Sequence, residues 1–382
     1  ELGKHLFYDP ILSGPNNISC STCHSPQYHT ADGRAFPIGT GGSGLGPDRE
    51  LGTGHHIARN APAIYNLIGQ SRFFYDGRVS FNAETGIFRA PELGLSGQNP
   101  ALKEIVAALK DDFGRPASQS TAAIAATVLF PIENVKEMRG LIYSQLSRVD
   151  YWQFIVNRVL ENPDYLRLLQ LAYPQLNVRD FNIGHIAKAL AEYVAYDFQI
   201  GNTGLDKYLR GDLDALTLPE KSGALVFLSD KSKCSRCHTG PLLSDFSFKN
   251  VGVPQVGPGV HSNGDDYGNE EVFNDPAELH FKFKTPSLRN IVRTGPYMHD
   301  GVFKTLREVV VHYNDIFESL NVLFDPIRLG RPEVETLNFV ANRARNDSRY
   351  NNMEFPLRSS LELTDQEVND LVTFLEHSLT EQ

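Results

Sequence analysis

Hydrophobic positions follow a helical period through the middle of the chain and lose it on either side. Ile105, Val106, Leu109 and Phe113 form a 3.6-type stripe over 102–113, and 118–130 continues in the same style. Tyr151 to Leu171 predicts a further helix, broken near Pro163 because proline lacks the amide that an interior turn needs. Ile186, Ala187, Leu190, Ala191 and Val194 mark a helix over 184–198. Residues 202–213 are polar and punctuated by glycine, as a boundary would be. Beyond them Thr217-Leu-Pro-Glu220 has the capping-box pattern with proline in the first turn, and predicts a helix over 220–229. Residues 305–316 read as a helix. Thr364-Asp-Gln-Glu367 is a second capping box, opening an amphipathic helix through Val368, Leu371, Val372, Phe374 and Leu375.

The first hundred residues and 239–285 lack such periods. The stretch from Gly39 to Gly54 holds seven glycines in 16 residues and reads as loop. Strand signals are few, so the expected class is mainly α with long loops. The length of 382 residues accommodates two domains, expected at 1–210 and 211–382.

Composition narrows the function. With 41% hydrophobic and 21% charged residues the chain is an ordinary globular protein. No apolar run approaches the roughly 18 residues of a membrane helix. A formal charge of −10 argues against nucleic acid as a partner. The opening Glu1-Leu-Gly-Lys has no charged or apolar leader, which suggests a mature form with its export signal removed.

All four cysteines fall in two pentapeptides, Cys20-Ser-Thr-Cys23-His24 and Cys234-Ser-Arg-Cys237-His238. C-x-x-C-H is the attachment signature of a c-type haem: the cysteines bond the macrocycle and the histidine ligates the iron. A redox C-x-x-C pair or a split zinc site would leave both histidines unexplained. Two covalently bound haems are therefore expected, one in each of two cytochrome c-like domains. Haem of this type is attached outside the cytoplasmic membrane in bacteria, so a periplasmic location is expected.

Further motifs carry a resemblance. They are Leu2-Gly-Lys-His-Leu-Phe-Tyr-Asp-Pro-Ile-Leu-Ser13, Arg59-Asn-Ala-Pro62, Phe74-Tyr-Asp-Gly-Arg78, Pro131-Ile-Glu-Asn-Val-Lys-Glu-Met138, Lys284-Thr-Pro-Ser-Leu-Arg-Asn290 and Gly295-Pro-Tyr-Met-His-Asp-Gly301. In this order they resemble the bacterial di-haem cytochrome c peroxidase/MauG family over most of the chain. The resemblance implies that the N-terminal haem reacts with hydrogen peroxide and that the C-terminal haem stores or relays electrons. It makes Glu137 the distal acid/base and puts Pro131 on the distal side, although Val135 replaces a proline of the motif. Without it, Glu137 reads as a surface charge beside Lys136 and Arg139.

Counting 14 residues from His299, where many members have a methionine ligand to the second iron, reaches Tyr313. MauG carries a tyrosine there, and an anionic phenolate lowers a haem potential. Met298 and His312 are rival ligands, and simple packing of Tyr313 is a further alternative. Tyr75 takes the place of the tryptophan that couples the two haems in the family, while Trp152 reads as core. Ser232 stands where MauG has a tryptophan for electron exit. His55 and His56 lie where a loop histidine can cap the first iron, yet read as exposed loop residues. Calcium is implied between the domains, at Asn60, Thr294 and Pro296. The 79–126 segment is longer than the family usually has, and reads either as a partner surface or as a packed addition.

The expected function is a MauG-like enzyme. It would use hydrogen peroxide to oxidise a protein substrate at tryptophan, through a high-valent state shared by both haems. The alternative is a peroxidase that reduces hydrogen peroxide to water with electrons from a small cytochrome c or cupredoxin. A third, non-enzymatic electron carrier would have two inert six-coordinate irons. The family often forms dimers, but the sequence marks no interface.

Overall fold

The computed structural model describes residues 1–95, 102–261, 264–269, 280–323, 353–354 and 357–381. Its helices are α1 (Leu2–Tyr8), α2 (Cys20–Cys23), α3 (Lys103–Lys110), α4 (Ala122–Glu133), α5 (Arg148–Glu161), α6 (Pro163–Ala172), α7 (Ile183–Asp197), α8 (Gly204–Leu209), α9 (Leu218–Leu228), α10 (Leu306–Asn314), α11 (Ile316–Leu323) and α12 (Asp365–Thr373). The mainly α class is as expected. The capping boxes at Thr217 and Thr364 are formed: each threonine hydroxyl accepts from the amide of the glutamate three residues on. Pro163 separates α5 from α6, with the Asn162 side chain capping the second helix.

Buried apolar side chains form two clusters. One draws on residues from Leu2 to Phe198. The other runs from Phe227 to Leu379 and recruits Ala35 and Phe36 from the N-terminal part of the chain. The clusters are built on the same plan. In the first, α1 crosses α7 at Gly3, where a Cβ would sit 1.9 Å from the Ala189 carbonyl oxygen and 2.9 Å from the Tyr193 Cβ. In the second, α9 crosses α12 at Gly223, where a Cβ would sit 2.0 Å from the Asp370 carbonyl oxygen and 2.7 Å from the Phe374 Cβ. Each crossing glycine thus meets a carbonyl and the side chain four residues beyond it. Backbones can approach this closely only where no side chain intervenes.

A second correspondence lies in the loops. Residues 60–77 and 284–301, 224 positions apart, share Pro62/Pro286, Asn66/Asn290, Asp76/Asp300 and Gly77/Gly301. Their backbones agree where it is least expected. Asn66 and Asn290 have φ of 53° and 57°, and Phe74 and Met298 have φ of 61° and 74°. Asn66 Oδ1 accepts from the Ile200 amide at 2.9 Å, just past α7. Asn290 Oδ1 accepts from the Glu381 amide at 2.8 Å, past α12 and the π-turn that follows it. The two segments also grip each other. The Asn60 amide donates to the His299 carbonyl, and the Lys284 amide donates to the Tyr75 carbonyl, both at 2.7 Å. The internal repeat is therefore far stronger than the sequence alone conveys.

Several expectations shift. The helix read over 118–130 runs from Ala122 to Glu133 and contains Pro131 in its last turn. Proline offers no amide to the carbonyl one turn back, and the helix stops at Asn134. The 79–126 segment, apart from 96–101 outside the described residues, packs on the first cluster through Val79, Phe81, Phe88, Leu93, Leu102 and Leu109. Strands Arg72–Phe73, Val79–Asn82 and Ile87–Arg89 form an antiparallel sheet, and α3 lies on α7, where Gly184 admits the Ile105 carbonyl. The 202–213 stretch holds the short helix α8. Among the described residues no helix is long and apolar enough to cross a membrane.

Candidate active site

A continuous cavity of about 1230 Å³ lies between the two clusters. That exceeds the roughly 300–1,000 Å³ of an ordinary small-molecule pocket. Both C-x-x-C-H segments line it, as do Glu137, Pro131, Tyr75, Tyr313, Asn60, Thr294 and Pro296. The residues assigned to haem attachment, proton transfer, charge relay and calcium thus meet in one space, from elements scattered over nearly 300 positions.

The two pentapeptides are arranged alike. Cys20–Cys23 is one helical turn and Cys234–Arg236 a tighter one, and in both the histidine amide donates back to the first cysteine carbonyl. His24 Nδ1 lies 3.0 Å from the Thr30 carbonyl, and His238 Nδ1 lies 2.9 Å from the Leu243 carbonyl. A carbonyl only accepts, so each Nδ1 carries the proton and each Nε2 keeps its lone pair. That is the tautomer a metal requires, oriented by a backbone partner. Burial pushes both imidazoles below their usual range and so favours the neutral, ligating form. None of the four cysteines is in a disulfide. Burial raises the Cys20 thiol to about 12 and moves Cys23 in the same direction. Paired free thiols, Nε2 lone pairs and a large cavity with predominantly apolar walls fit two covalently held haems.

Around the first pentapeptide the cavity wall is charged. Glu137 sits in a π-turn, Val135–Arg139, whose first amides are capped by the Asn134 side chain. The loop at Gly39 packs directly on this turn: a Cβ there would lie 1.8 Å from the Lys136 carbonyl oxygen, and the Thr40 amide donates to the Glu137 carbonyl at 2.7 Å. Burial raises the Glu137 carboxyl above its ordinary value, and Arg78 opposes that shift. Glu137 is thus a cavity-facing group rather than a surface charge. Glu133 also faces the cavity. One of its oxygens accepts from Arg148 at 2.6 Å, and the other is buried without a hydrogen-bond partner. The sequence offers Glu133 four residues before Glu137, at the end of α4, and nothing local marks it as cavity-facing.

Around the second pentapeptide Lys233, Arg236, Lys249 and Glu354 line the cavity, but the face that α10 contributes is apolar. Helix α10 presents Leu306, Val309, Val310 and Tyr313, an i, i+3, i+4, i+7 stripe. Burial holds the Tyr313 phenol well above its usual range. Met298 faces the same cavity. His312 does not: it is fully buried, with Nδ1 3.0 Å from Ser319 Oγ and Nε2 2.9 Å from the Val251 carbonyl. Both ring nitrogens are engaged and the ring is off the cavity, which removes His312 as a rival ligand; burial also pushes it down to about 4.

The remaining candidates separate as follows. His56 lines the cavity, whereas His55 is exposed and does not. The reading of both as exposed loop residues therefore holds for His55 alone, because the Ile38–His56 bridge turns His56 inward. Trp152 is 1% exposed and packs in the first core, away from the cavity. The Ser232 hydroxyl donates to the Val226 carbonyl at 2.6 Å and fastens the end of α9 to the second pentapeptide. Asn60 Nδ2 donates to the Arg34 carbonyl at 2.8 Å and the Pro296 carbonyl at 3.2 Å, so two backbone oxygens converge on this side chain. The Thr294 hydroxyl donates to the Ile291 carbonyl.

Between the two walls runs a charged seam. Arg59 pairs with Asp76 and, through Nε at 2.6 Å and Nη2 at 2.8 Å, with Asp266. Arg78 pairs with Asp76 and lies over Phe74 and Phe130. Burial alone would raise Asp76, but the two guanidinium groups outweigh it and hold the carboxyl well below the carboxylate range. Phe283 stacks on His299 at 3.5 Å.

A helical fold with two attachment pentapeptides on one cavity defines a di-haem c-type protein. Residues 1–214 match the di-haem cytochrome c peroxidase family, more than half of the chain, and the protein belongs to that family. Cytochrome-c peroxidase IdrP2 of Denitromonas iodatirespirans is 28% identical over 336 residues, which cover 82% of this chain and 72% of the relative. Methylamine utilization protein MauG of Paracoccus denitrificans is 29% identical over 398 residues, covering 98% of this chain and 87% of the relative. Two crystal structures share the fold. One is a MauG-like protein associated with microbial copper homeostasis, with TM-score 0.66 and 24% identity, covering 100% of this chain and 89% of that one. The other is the diheme peroxidase BthA of Burkholderia thailandensis, with TM-score 0.63 and 22% identity, covering 100% and 85%. The protein is a peroxide-dependent di-haem oxidoreductase.

Proposed function

We propose that this oxidoreductase works in the MauG manner, outside the cytoplasmic membrane: it consumes hydrogen peroxide at the first haem and oxidises tryptophan on a protein partner by way of the second. The chain divides near residue 210 into a peroxide-reactive unit and an electron-transfer unit. The haems, held by Cys20, Cys23 and His24 and by Cys234, Cys237 and His238, supply the redox chemistry when bound. Glu137 takes a proton from peroxide and returns it to the departing oxygen, a task suited to a carboxyl with a raised pKa. Pro131 walls the same side without adding a competing donor. Tyr75 relays charge between the units and must release its phenolic proton as it does so. Calcium, an oxygen-seeking ion, is held at Asn60, Thr294 and Pro296, joined by the Arg34 carbonyl; the Asn60 amide then turns its oxygen inward.

The observation that carries this reading is Tyr313 on the cavity-facing stripe of α10. EPR and optical spectra of the resting diferric protein, alone and as Tyr313→Met, test it. Expected are one high-spin haem and one low-spin haem whose phenolate signature disappears in the variant. Two low-spin haems unaffected by the substitution would refute it. A second reading, reduction of peroxide to water with electrons from a small cytochrome c or cupredoxin, is favoured by Met298 on the same cavity. In that case a methionine signature is expected, and it is lost in Met298→Leu.

A further inference from the structure

The repeat of 60–77 in 284–301 is reciprocal, and it gives Lys284 a counterpart. At an offset of 224, Asn60 corresponds to Lys284, Thr294 to Gln70 and Pro296 to Arg72. The side chain of Asn60 reaches across to the Pro296 carbonyl at 3.2 Å. The side chain of Lys284 reaches across to the matching Arg72 carbonyl at 3.1 Å and to Gln70 Oε1 at 3.0 Å. Both backbone amides close the same pairing, Asn60 onto His299 and Lys284 onto Tyr75. One half therefore gathers oxygens around a neutral amide, and the other gathers them around an ammonium.

We propose that the Lys284 ammonium is a tethered cation, the built-in equivalent of the ion held at Asn60, and that it is the positioning residue for Tyr75. Lys284 holds the 70–75 loop at both ends: Nζ binds Gln70 and Arg72, and the main-chain amide binds Tyr75. Burial pushes the ammonium down to about 8 against the pull of Asp76, which leaves it charged at neutral pH. An ion can leave its site, whereas a lysine cannot, so this half keeps its geometry whatever the calcium supply. The comparison with a bound ion rests on the calcium reading above; the hold on the loop does not.

The test uses the di-haem holoprotein and the variants Lys284→Met and Lys284→Asn. Calcium stoichiometry is measured by titration calorimetry, amide exchange over 70–76 by mass spectrometry, and electron exchange between the haems by stopped-flow absorbance after half-reduction. Lys284→Met should speed exchange over 70–76 about ten- to a hundredfold, as expected for losing hydrogen bonds to a charged donor, and should slow electron exchange at every calcium concentration. Lys284→Asn should bind one calcium more than the wild type, and calcium should restore both readouts. The proposal is overturned if Lys284→Met leaves 70–76 protected, or if Lys284→Asn behaves like Lys284→Met throughout the calcium titration. A wild type that binds no calcium removes the reading at Asn60 and with it the comparison with a bound ion. The Lys284→Met result still decides whether Lys284 positions the loop.

Discussion

The two halves of the molecule share a scaffold and differ in the walls they turn toward the cavity. Both cross a helix pair at a glycine, present a C-x-x-C-H histidine with its Nδ1 tied to a backbone carbonyl, and pin the end of the closing segment with an asparagine in the left-handed region. The first then adds Glu137, Glu133, Arg78 and Arg139 from α4, the π-turn and their neighbours, whereas the helix α10 of the second adds Leu306, Val309, Val310 and Tyr313 and leaves its charges to Lys233, Arg236, Lys249 and Glu354. Proton transfer needs ionisable groups beside the reacting atoms, and electron storage benefits from a dry site that stabilises one oxidation state. On the proposed division of labour, one fold serves two tasks through its lining.

The strongest way to break the comparison is Glu137→Gln. The rate of reaction with peroxide should fall about 10²–10⁴-fold, while the spectrum of the second haem stays unchanged. In the wild type this rate should decline as pH drops through the raised Glu137 value, because only the carboxylate accepts a proton; the variant should lose that limb. Stopped-flow spectroscopy across pH checks both.

Gly3→Ala and Gly223→Ala come next. Each puts a methyl within 1.9–2.0 Å of a carbonyl oxygen, and overpacking of this kind costs about 1–3 kcal/mol or more. Denaturation followed at each haem band should show Gly3→Ala loosening the first half and Gly223→Ala the second. Equal loosening of both halves by either variant would mean that they unfold as one unit.

The smallest contrast concerns two loop carboxylates. Asp32 is buried, with Oδ2 lacking a hydrogen-bond partner, and burial raises it to about 6. Asp245 is exposed and accepts from Ser247. With its folded value raised, Asp32 binds more protons in the native state than in the unfolded state between roughly pH 4 and 6, so stability falls as pH rises through that window. Asp32→Asn should flatten that slope and stabilise the protein at pH 7 by about 2 kcal/mol. Asp245→Asn should stay within about 0.5 kcal/mol. Chemical denaturation at several pH values separates them.

Much of this was legible in the sequence, because local signals suffice for it. Cysteine and histidine spacing marked the pentapeptides, capping boxes marked α9 and α12, and 305–316 read as the helix that is α10, while Tyr313 was reached by its distance from His299 in the family resemblance. What escaped depends on contacts distant in sequence. The repeat at 60–77 shares only a few identities with 284–301, and what preserves it is backbone conformation, as at Phe74 and Met298. The strands at 72–89 are two to four residues long, too short for an alternation to register. His56 turns inward because of a bridge to Ile38, and the burial of His312 depends on Val251, 61 positions away.

The reciprocal amide bonds, Asn60 to His299 and Lys284 to Tyr75, have an evolutionary reading. Each half contributes one donor and one acceptor in matching places, which is the self-complementary pattern of a two-fold dimer. A single ancestral gene whose product paired with a copy of itself, followed by duplication and fusion, yields this arrangement directly. After fusion the two copies were free to diverge in the side chains they turn toward the cavity.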